Sequence, residues 1–557
     1  MFDPPLTMSS EATRAGAALR AWTAGDFRDF EEIRSLRMRN AEDAAVDATL
    51  FPLDRKSLPT LRRKLAQLSG VDQIWTAPDR LRLRLADQEV VRLASEMINA
   101  GLPPLLRPPD VPEEYIVSFC DPNATKGLHI GHMRSLALGG GLGALLEAAG
   151  VRVTRQSIVC DSGRAISEAC AGYVSHYQGE TPRSQGCRPD QFVGRCYAQF
   201  EPSSGYQAEG EPDHDSRNAP GEGADLAGDY MKRLWDEDPE ALRLWQGLRE
   251  WVIEGHRHTF DRTGIIFDRT LYESEFLYLI EPVMESALAT GIFIRSPEDG
   301  SIDMVPTAEG PKVPMVRRDG FPTGYLRHFA IWHELQRRRP LGVGYLNIMG
   351  SEWTEKAAMR ERALTTLLDD AFDRFYHRIG VGMVMAAGEP IKSKSGTAFL
   401  IEDCLDWIAN EVSLGGRADP SDEIPALILK GYLLSQGTSA SIDFCPERLL
   451  DPQVNPGLKI ATALFDERPP AGQECRSGLR YAVCRALELR PILEVALVKH
   501  ELAPVVKFLG HLAGWCSTAL QGPLTRQLTF LTIGEGARSI NLLGQVPAAT
   551  ASMLRRR

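Results

Sequence analysis

The chain has 557 residues, more than one hydrophobic core usually organises, so we expect roughly two to four domains. Its composition, with 43% hydrophobic and 25% charged residues, is ordinary for a soluble globular protein. The formal net charge of −11 excludes a basic footprint over the whole chain, although a large acidic protein can still carry a local basic groove for nucleic acid.

Cysteine spacing and apolar runs disfavour several further classes of protein. The ten cysteines are scattered without a CxxC pair, which argues against a zinc site and against a secreted disulfide framework. No stretch approaches the roughly 20 apolar residues of a membrane span, and the start of the chain lacks the apolar core of a signal peptide. We therefore expect a protein of the reducing cytoplasm with no metal ligands of its own.

The first 110 residues predict a small α+β unit. Leu50–Leu68 has a helical pattern, and Ile74–Leu85 alternates apolar and polar side chains as a half-buried strand does. Gln88–Ala100 again predicts a helix. The proline-rich stretch Leu102–Pro112 is typical of a linker, which places a domain boundary near residue 110.

A strand, a loop, a helix and a second strand follow in that order. Glu114–Cys120 and Val151–Val159 are the strand candidates, and a helix runs from His129 to about Ala149 between them. This βαβ order indicates a nucleotide-binding parallel sheet. Three glycines inside the helix, Gly139–Gly141, favour close helix–sheet packing or a loosened helix over dinucleotide binding.

The rest of the chain divides into a mixed part and a helical part. Residues 201–225 are rich in glycine, proline and acids and predict a mobile loop. Tyr230–Thr259 predicts a helix with three core tryptophans, and mixed segments follow it. From Ile401 onward the pattern is mainly amphipathic helix with a break at Asp451–Pro456, which predicts a separate bundle. The three tryptophans are Trp235, Trp245 and Trp251.

The first chemical signal joins the first strand of this unit to its helix, in the segment Asn123–Arg134 (NATKGLHIGHMR). A helix N-terminus offers unpaired N–H groups and a positive dipole end to an anion. His129 and His132 fall on one helix face and can donate hydrogen bonds to phosphate oxygens. Gly131 leaves room for adenine or ribose against the backbone. The alternative is a pair of surface histidines at a tight helix start.

The second chemical signal is the segment Lys392–Gly396 (KSKSG), far downstream. Two lysines and two hydroxyls beside a glycine form a cationic loop. Such a loop can wrap a triphosphate and follow the charge onto the leaving pyrophosphate. Taken alone, an ordinary solvated turn is the simpler interpretation of this segment.

Together, the two segments resemble the signatures of class I aminoacyl-tRNA synthetases. His129–His132 matches the HIGH signature unchanged, and Ile391–Ser395 (IKSKS) resembles the KMSKS signature. The wider match, over residues 65–557, is to the arginyl-tRNA synthetase family. The segments that carry this match are Asn123–Ser135, Cys160–Arg164, Phe267–Asp268, Glu273–Ser274, Asp319–Thr323 and Gly382–Val384.

The resemblance implies an α/β protein in three parts. A Rossmann-type catalytic domain would occupy residues 111–400, with a small α+β domain that touches the tRNA elbow at 1–110 and an all-α anticodon-binding bundle at 401–557. It further implies ATP with Mg²⁺ as cofactors, and an amino acid such as arginine together with tRNA as partners. The expected protein is a monomeric ligase that forms an aminoacyl-adenylate and charges tRNA.

The resemblance also assigns roles to side chains of the two motifs. His129 and His132 would contact the phosphates, and Lys126 and Lys394 would stabilise the transition state. The first lysine of KMSKS is replaced by Ile391, and Lys126 stands where arginyl enzymes carry a compensating lysine. The remaining ATP contacts that the resemblance implies are Gly131, Gly382, Lys392, Ser393 and Ser395.

The expected amino-acid pocket departs from the family pattern. A guanidinium pairs best with a bidentate carboxylate. The resemblance implies Glu273 for that role, and it implies Asn123 as a second contact to the amino acid. A tyrosine and, four residues later, an aspartate of the family find no match here. Their places fall on Gly324 and His328 without a gap, or on Tyr325 and Phe329 after a shift of one residue.

A second departure lies where the family has a glutamine after a Gly-Ala-Asp triplet. Here Gly350-Ser351-Glu352 is followed by Trp353. Loss of a carboxylate that faces a buried guanidinium leaves a charge underpaired. Glu352 could substitute as the missing acid, or Trp353 and His328 could shape a pocket for another side chain.

The predicted anticodon-binding bundle also departs from the family. Asn455–Pro456 matches, but the aromatic run expected next is Gly457–Ile460, which lacks the rings that stack on tRNA bases at about 1–3 kcal/mol each. Three hypotheses therefore stay open. The protein is a tRNA ligase of the arginyl type, a related enzyme of specialised metabolism that activates arginine or another amino acid for amide formation, or a catalytically silent tRNA-binding paralogue.

Overall fold

The computed structural model describes fourteen stretches of the chain, and two segments singled out in the sequence lie outside them. These segments are the acidic stretch 201–225 and the lysine-rich stretch 391–398. The described residues are 33–38, 48–52, 55–67, 70–102, 104–105, 107–200, 226–305, 312–368, 372–386, 388–390, 399–412, 422–465, 473–518 and 522–543.

The N-terminal unit is a four-stranded antiparallel sheet with two helices. Its strand order is β1-β2-β4-β3. The unit consists of β1 (Ile33–Met38), β2 (Ala48–Pro52), α1 (Leu58–Ala66), β3 (Val71–Ala77), β4 (Arg80–Leu85) and α2 (Asp87–Ala100).

Two predictions for this unit need correction. The helix predicted over Leu50–Leu68 begins only at Leu58, with Pro59 in its first turn, because Leu50 is fully buried as part of strand β2. The single strand predicted over Ile74–Leu85 is a hairpin of β3 and β4, whose alternating leucines face the core. The helix predicted from Gln88 is confirmed as α2.

A parallel sheet of five strands forms the centre of the molecule, in the order β12-β11-β5-β6-β7. Ser118 at the end of β5 lies opposite Gln156 on one side and Asn347 on the other. The predicted βαβ unit is thereby confirmed.

The elements from β5 to α7 are β5 (Glu114–Ser118), α3 (Ile130–Ala148), β6 (Arg152–Val159), α4 (Arg164–His176), α5 (Pro189–Gln199), α6 (Leu226–Trp235) and α7 (Pro239–Thr263). The elements from β7 to β14 are β7 (Arg269–Tyr272), α8 (Ile280–Ala289), β8 (Phe293–Arg295), β9 (Ile302–Met304), β10 (Val313–Val316), α9 (Gly324–Arg338), β11 (Gly344–Gly350), α10 (Thr354–Leu368), β12 (Tyr376–Val381), β13 (Val384–Ala386) and β14 (Glu389–Pro390).

The strand order places a ligand site at the carboxyl end of β5. From β5, the chain continues to β6 on one side of the sheet, whereas β11 lies on the other side. Open α/β sheets bind ligands at such a switch point, outside the carboxyl ends of the strands. The HIGH segment follows β5, Cys160–Arg164 follows β6 and Glu273 follows β7. These three sequence motifs therefore all begin at this edge of the sheet.

The helix predicted over Tyr230–Thr259 is interrupted. It consists of α6 and α7, because the Asp238 side chain caps α7 by accepting from the Ala241 N–H and Pro239 follows at the first helical position. Trp235 ends α6 and is 44% exposed, so its prediction as a core residue was wrong.

The C-terminal part of the chain is helical, as predicted. Asn455 explains the predicted break, because its side chain donates to the carbonyls of Ile428 and Leu449 and accepts from the Gly457 N–H. The elements are α11 (Ile401–Glu411), α12 (Glu423–Leu434), β15 (Ile442–Asp443), α13 (Pro456–Phe465), α14 (Arg476–Lys499), α15 (Ala503–Thr518) and α16 (Pro523–Ser539).

The N-terminal unit packs directly on this helical bundle. Leu93 and other buried residues of α2 share one apolar cluster with Leu479 and Val483 of α14. Arg480 adds polar contacts, donating to the Leu85 carbonyl at 3.0 Å and to Asp87 at 2.6 Å. None of the helices in the described part of the chain combines the length and apolar character needed to cross a bilayer.

The three glycines of α3 serve close packing. A Cβ at Gly139 would lie 2.2–2.6 Å from the buried Phe119 ring, and one at Gly141 would lie 2.5 Å from Leu502 and 2.9 Å from the Ile540 carbonyl. The helix therefore lies against both the sheet and the C-terminal bundle at distances that only glycine permits.

We predict that Gly139→Ala lowers the free energy of unfolding by about 1–3 kcal/mol, because the methyl group overpacks a ring that cannot move. Gly247→Ala in α7 is the matched control, since no atom lies within 4 Å of its added Cβ. The control should gain about 0.5–1 kcal/mol from helix propensity. Urea unfolding followed by circular dichroism measures both, and equal effects of the two variants would contradict the packing role.

Candidate nucleotide and amino-acid site

The start of α3 holds the two histidines in a fixed arrangement. The His129 Nδ1 accepts a hydrogen bond from the Gly131 N–H at 3.1 Å, and the His132 Nδ1 accepts from the His129 N–H at 3.2 Å. The two ring centroids lie 3.9 Å apart. Because each Nδ1 is an acceptor, the proton of each neutral ring is assigned to Nε2, which leaves an N–H donor on both rings.

Burial keeps both imidazoles uncharged. It lowers the pKa of His129 to about 3 and that of His132 well below its ordinary value, and the nearby charge of Lys126 acts in the same direction. At neutral pH the site therefore offers two neutral donors at a helix N-terminus, which can bind phosphate oxygens without a proton exchange.

Lys126 is positioned by residues from other helices. The His256 Nε2 is hydrogen-bonded to the Lys126 carbonyl at 2.9 Å. Gly127 and Gly255 both pack against the buried Asp190 carboxylate, where a Cβ would lie 2.7 Å and 2.3 Å from its atoms. His256 is buried in the core and supports the loop that carries Lys126.

The chain that follows the lysine-rich segment pairs with the HIGH segment. The Ile130 N–H donates to the Phe399 carbonyl at 3.0 Å, and the Ile401 N–H donates to the Leu128 carbonyl at 3.0 Å. His129 and Leu400 lie opposite each other as an antiparallel bridge. Backbone hydrogen bonds thus join the HIGH segment to Phe399 and Ile401 across more than 260 positions of sequence, and Lys392–Ser395 lie outside the described residues.

Arg134 of α3 ties the same region to Gly382. Its guanidinium donates to the carbonyls of Gly382 at 2.6 Å, Ala440 at 2.5 Å and Gly437 at 2.9 Å. A Cβ at Gly382 would lie 2.2 Å from the Ala440 carbonyl oxygen, so this position admits only glycine. The strand that leads into the lysine-rich segment is therefore fixed against the HIGH helix.

Glu273, the candidate partner of the amino-acid side chain, has both carboxylate oxygens engaged. It is 1% exposed. The Ser162 hydroxyl donates to Oε2 at 2.6 Å, and the Arg327 Nε lies 3.2 Å from Oε1. The His328 Nε2 lies 3.9 Å from Oε1 and 3.3 Å from the Cys160 sulfur.

This geometry decides between the two alignments of α9 with the family pattern, which placed either His328 or Phe329 at the position of the aspartate. His328 faces Glu273, whereas Phe329 is fully buried in the core and packs on Phe293 with ring centroids 5.1 Å apart. Tyr325 contacts the Lys356 ammonium through its hydroxyl, and its ring lies 6.1 Å from that of Trp353. Tyr325, His328 and Trp353 thus lie on adjoining parts of α9 and the start of α10.

Helix α10 contributes two cations to this region, Lys356 and Arg360. The Arg360 guanidinium carbon lies 4.5 Å from the Trp332 ring centroid, and its charge lowers the pKa values of both His328 and Asp121. Burial dominates at both residues: it raises the pKa of Asp121 to about 6 and lowers that of His328 to about 3. Glu352, the substitute acid considered from the sequence, is exposed and folds back on Gly350.

Comparisons with known proteins agree with this arrangement. Residues 111–291 match the family described as tRNA synthetases class I (R), catalytic domain. Arginine–tRNA ligases of Treponema pallidum and Amoebophilus asiaticus are 28% and 27% identical over 355 and 367 residues. These alignments cover 61% and 62% of this chain. Residues 111–291 are thus similar to the catalytic domain of arginyl-type class I aminoacyl-tRNA synthetases.

The match to these relatives is partial in length, whereas the fold is similar throughout. The chain spans 58% and 60% of the two curated relatives' own lengths. The arginyl-tRNA synthetase of Thermus thermophilus superposes with a TM-score of 0.63 at 16% identity, covering 97% of this chain and 99% of the other. The Plasmodium falciparum enzyme gives 0.59 at 12% identity, with the same coverage of both chains. The predicted α/β synthetase fold is confirmed.

Several residues of this candidate site were missed in the sequence. Asp161 is fully buried and accepts from the Ser274 N–H and hydroxyl at 2.8 Å and from Arg249 at 2.9 Å, which fixes the loop that carries Glu273. Arg327 was missed because only the folded chain brings α9 next to Glu273. Arg134 lies inside a matched segment, but its partners Gly382 and Ala440 are distant in sequence.

One group of possible metal ligands comes together among the described residues. The ligand atoms of Cys160, Glu273 and His328 lie within 4.8 Å of one another. Mg²⁺ prefers oxygen ligands, and one Glu273 oxygen already faces Arg327, so this group does not fit a magnesium site.

We predict that His129 makes the stability of this protein depend on pH. Its pKa is about 3 when folded and near 6.5 in an unfolded chain, so between these values the unfolded state binds more protons. The stabilisation is fully present above pH 6.5 and falls as the pH drops, by on the order of 2 kcal/mol at pH 5.

Urea unfolding at pH 7 and pH 5 tests this, with His129→Asn as the comparison. The variant should lose about 2 kcal/mol less than the wild type between the two pH values. Equal losses would show that His129 is not buried in its neutral form.

Proposed function

We propose that the protein activates an amino-acid carboxylate with ATP and transfers the aminoacyl group to the 3′ adenosine of a tRNA. The observation that carries this proposal is the backbone pairing of Phe399–Ile401 with Leu128–Ile130. It brings the start of the HIGH helix, at one edge of the parallel sheet, together with Phe399, which follows the lysine-rich segment in the sequence. A single triphosphate at this edge can contact both motifs.

In the first step, a carboxylate oxygen of the amino acid attacks the α-phosphorus of ATP. The bond between the α-phosphorus and the α,β-bridging oxygen breaks, pyrophosphate leaves with the electron pair of that bond, and the aminoacyl-adenylate remains bound. The Nε2–H groups of His129 and His132 donate to phosphate oxygens, and Gly131 lets the nucleotide lie against the helix start. Positioning and electrostatic stabilisation carry this chemistry, so no side-chain nucleophile is required.

Cations complete the phosphate site in this proposal. Lys126, in the loop before α3, is one of these cations. We assign Lys392 and Lys394, with the hydroxyls of Ser393 and Ser395, to the same role from the sequence motif of their segment. Gly382 provides the close turn at the base of that segment. Mg²⁺ carried by the ATP would supply further positive charge for the leaving pyrophosphate.

The amino acid occupies the neighbouring part of the same edge. Asn123 is exposed next to the end of β6 and is placed to contact the amino acid. Glu273, Tyr325, His328 and Trp353 line the side-chain pocket.

In the second step, the ribose hydroxyl of the tRNA end attacks the activated carbonyl and releases AMP. The domain boundaries near residues 110 and 400, a monomeric state and a cytoplasmic location stay predictions.

A second candidate is an enzyme that passes the activated amino acid to an amine in specialised metabolism. Two observations favour it: the carboxylate of Glu273 is already paired within the protein, and Gly457–Ile460 supplies no ring for stacking on tRNA bases. Incubation with a radioactive amino acid, ATP and total tRNA separates the two candidates. Label in acid-precipitated tRNA supports the ligase, and adenylate formation without labelled tRNA supports the alternative.

We predict that His132→Ala lowers the rate of ATP–pyrophosphate exchange by about 100-fold or more, because a donor aimed at the reacting phosphate is lost. The assay uses the full chain with a mixture of all amino acids, with and without tRNA. His511→Ala, on an exposed part of α15, is the matched control and should exchange like the wild type. Exchange that survives in His132→Ala, or that is absent from the wild type, would overturn the proposal.

A further inference from the structure

The pocket beside the HIGH helix differs in charge from one built for a guanidinium. Resting on the proposed amino-acid activation, we propose that the substrate has no cationic side chain and ends in an acceptor oxygen, a carboxylate or carboxamide, that Arg360 binds. The inference deepens the proposed function, because it names the class of amino acid that the site selects.

The acid expected to receive a guanidinium is already occupied. Glu273 accepts from Ser162 through one oxygen and faces the Arg327 guanidinium through the other, and the pair is almost completely buried. A bidentate guanidinium contact needs both oxygens of the carboxylate. An incoming arginine would have to displace a hydroxyl and a guanidinium that the protein itself supplies.

Arg327 cannot easily move aside. Its Nη1 donates to the Pro322 carbonyl at 2.9 Å, and its guanidinium lies against the backbone of Gly163. A Cβ at Gly163 would lie 2.4 Å from the Arg327 Nη2, and this glycine has a φ of +86°. The turn after β6 is therefore shaped to leave space for the Arg327 side chain.

Among the charged side chains around the pocket, the cations outnumber the acids. Arg327, Arg360 and Lys356 face it from α9 and α10, against the acids Glu273 and Asp121. Asp121 follows β5 next to Asn123, where it can accept the α-ammonium group of an amino acid. His328, at the register position where a further acid would pair with a cation, is neutral because burial lowers its pKa to about 3.

Arg360 has hydrogen-bonding capacity that the described residues do not use. Its Nε and Nη2 atoms are buried and have no hydrogen-bond partner in the part of the chain that the structure describes. The Trp332 ring holds the guanidinium in place from one side. Buried donors without acceptors are costly, and a substrate oxygen in this pocket would satisfy them. A substrate side chain that carries only hydrogen-bond donors, or only methyl groups, would leave these Arg360 donors without an acceptor.

The test is ATP–pyrophosphate exchange by the full chain with single amino acids, each with and without total tRNA. We expect glutamate, glutamine, aspartate or asparagine to give at least tenfold faster exchange than arginine, and the acid–amide pairs distinguish carboxylate from carboxamide. Exchange that is fastest with arginine, or with an amino acid lacking an acceptor oxygen in its side chain, would overturn the inference while leaving the proposed activation intact.

Absence of all exchange would overturn the proposed function, and binding then decides the pocket separately. Non-hydrolysable aminoacyl-sulfamoyl adenosines carrying arginine, glutamate or glutamine are titrated by calorimetry. Tighter binding of the glutamyl or glutaminyl compound supports the inference. Tighter binding of the arginyl compound, or no difference among the three, overturns it.

Variants connect the selectivity to Arg360. Arg360→Leu should weaken the favoured analogue by tenfold or more and leave the arginyl analogue unchanged. Arg362→Leu, two positions along α10 and therefore directed to another side of the helix, is the matched control and should bind like the wild type. In a second variant, His328→Asp adds a carboxylate opposite Glu273 and should raise the relative affinity for the arginyl analogue. Equal losses in both leucine variants would overturn the role of Arg360.

Discussion

The site depends on the two backbone hydrogen bonds that join Leu128 and Ile130 to Ile401 and Phe399. Each end of a helix leaves backbone groups that need partners from outside the helix. At the start of α3, part of that need is met by Phe399, which is distant in sequence. The contact therefore stabilises the helix start and holds Phe399–Ile401 beside it.

Other interactions hold the same edge of the sheet in place. Arg134 reaches from α3 to three carbonyl groups near Gly382, and a guanidinium with this many backbone partners is costly to remove. On the opposite side, His256 and Asp190 fix the loop that carries Lys126. The candidate phosphate site is thus assembled from α3, α5, α7 and the segment before α11.

The amino-acid pocket follows a different principle, since its charges are balanced inside the protein. Glu273 and Arg327 form a buried ion pair with an added hydroxyl, and breaking a buried pair by removing one partner costs about 3–5 kcal/mol. Such a pair resists a cationic ligand that would compete with Arg327 for the Glu273 carboxylate. The fold of an arginyl-type synthetase is therefore compatible with a pocket that selects another side chain, because the fold constrains the nucleotide site more strongly than the pocket.

The sequence by itself determined the βαβ unit, the helical C-terminal part and the two ATP motifs, because periodicity and short signatures are local properties of the chain. It also assigned His129, His132, Lys126 and Glu273 to the site. Only the tertiary structure decided that Arg327 occupies Glu273, that His328 rather than Phe329 faces the pocket, and that Arg360 lies beside it. These facts depend on which faces of α9 and α10 turn toward the ends of β6 and β7, and helix rotation is set by packing between distant segments.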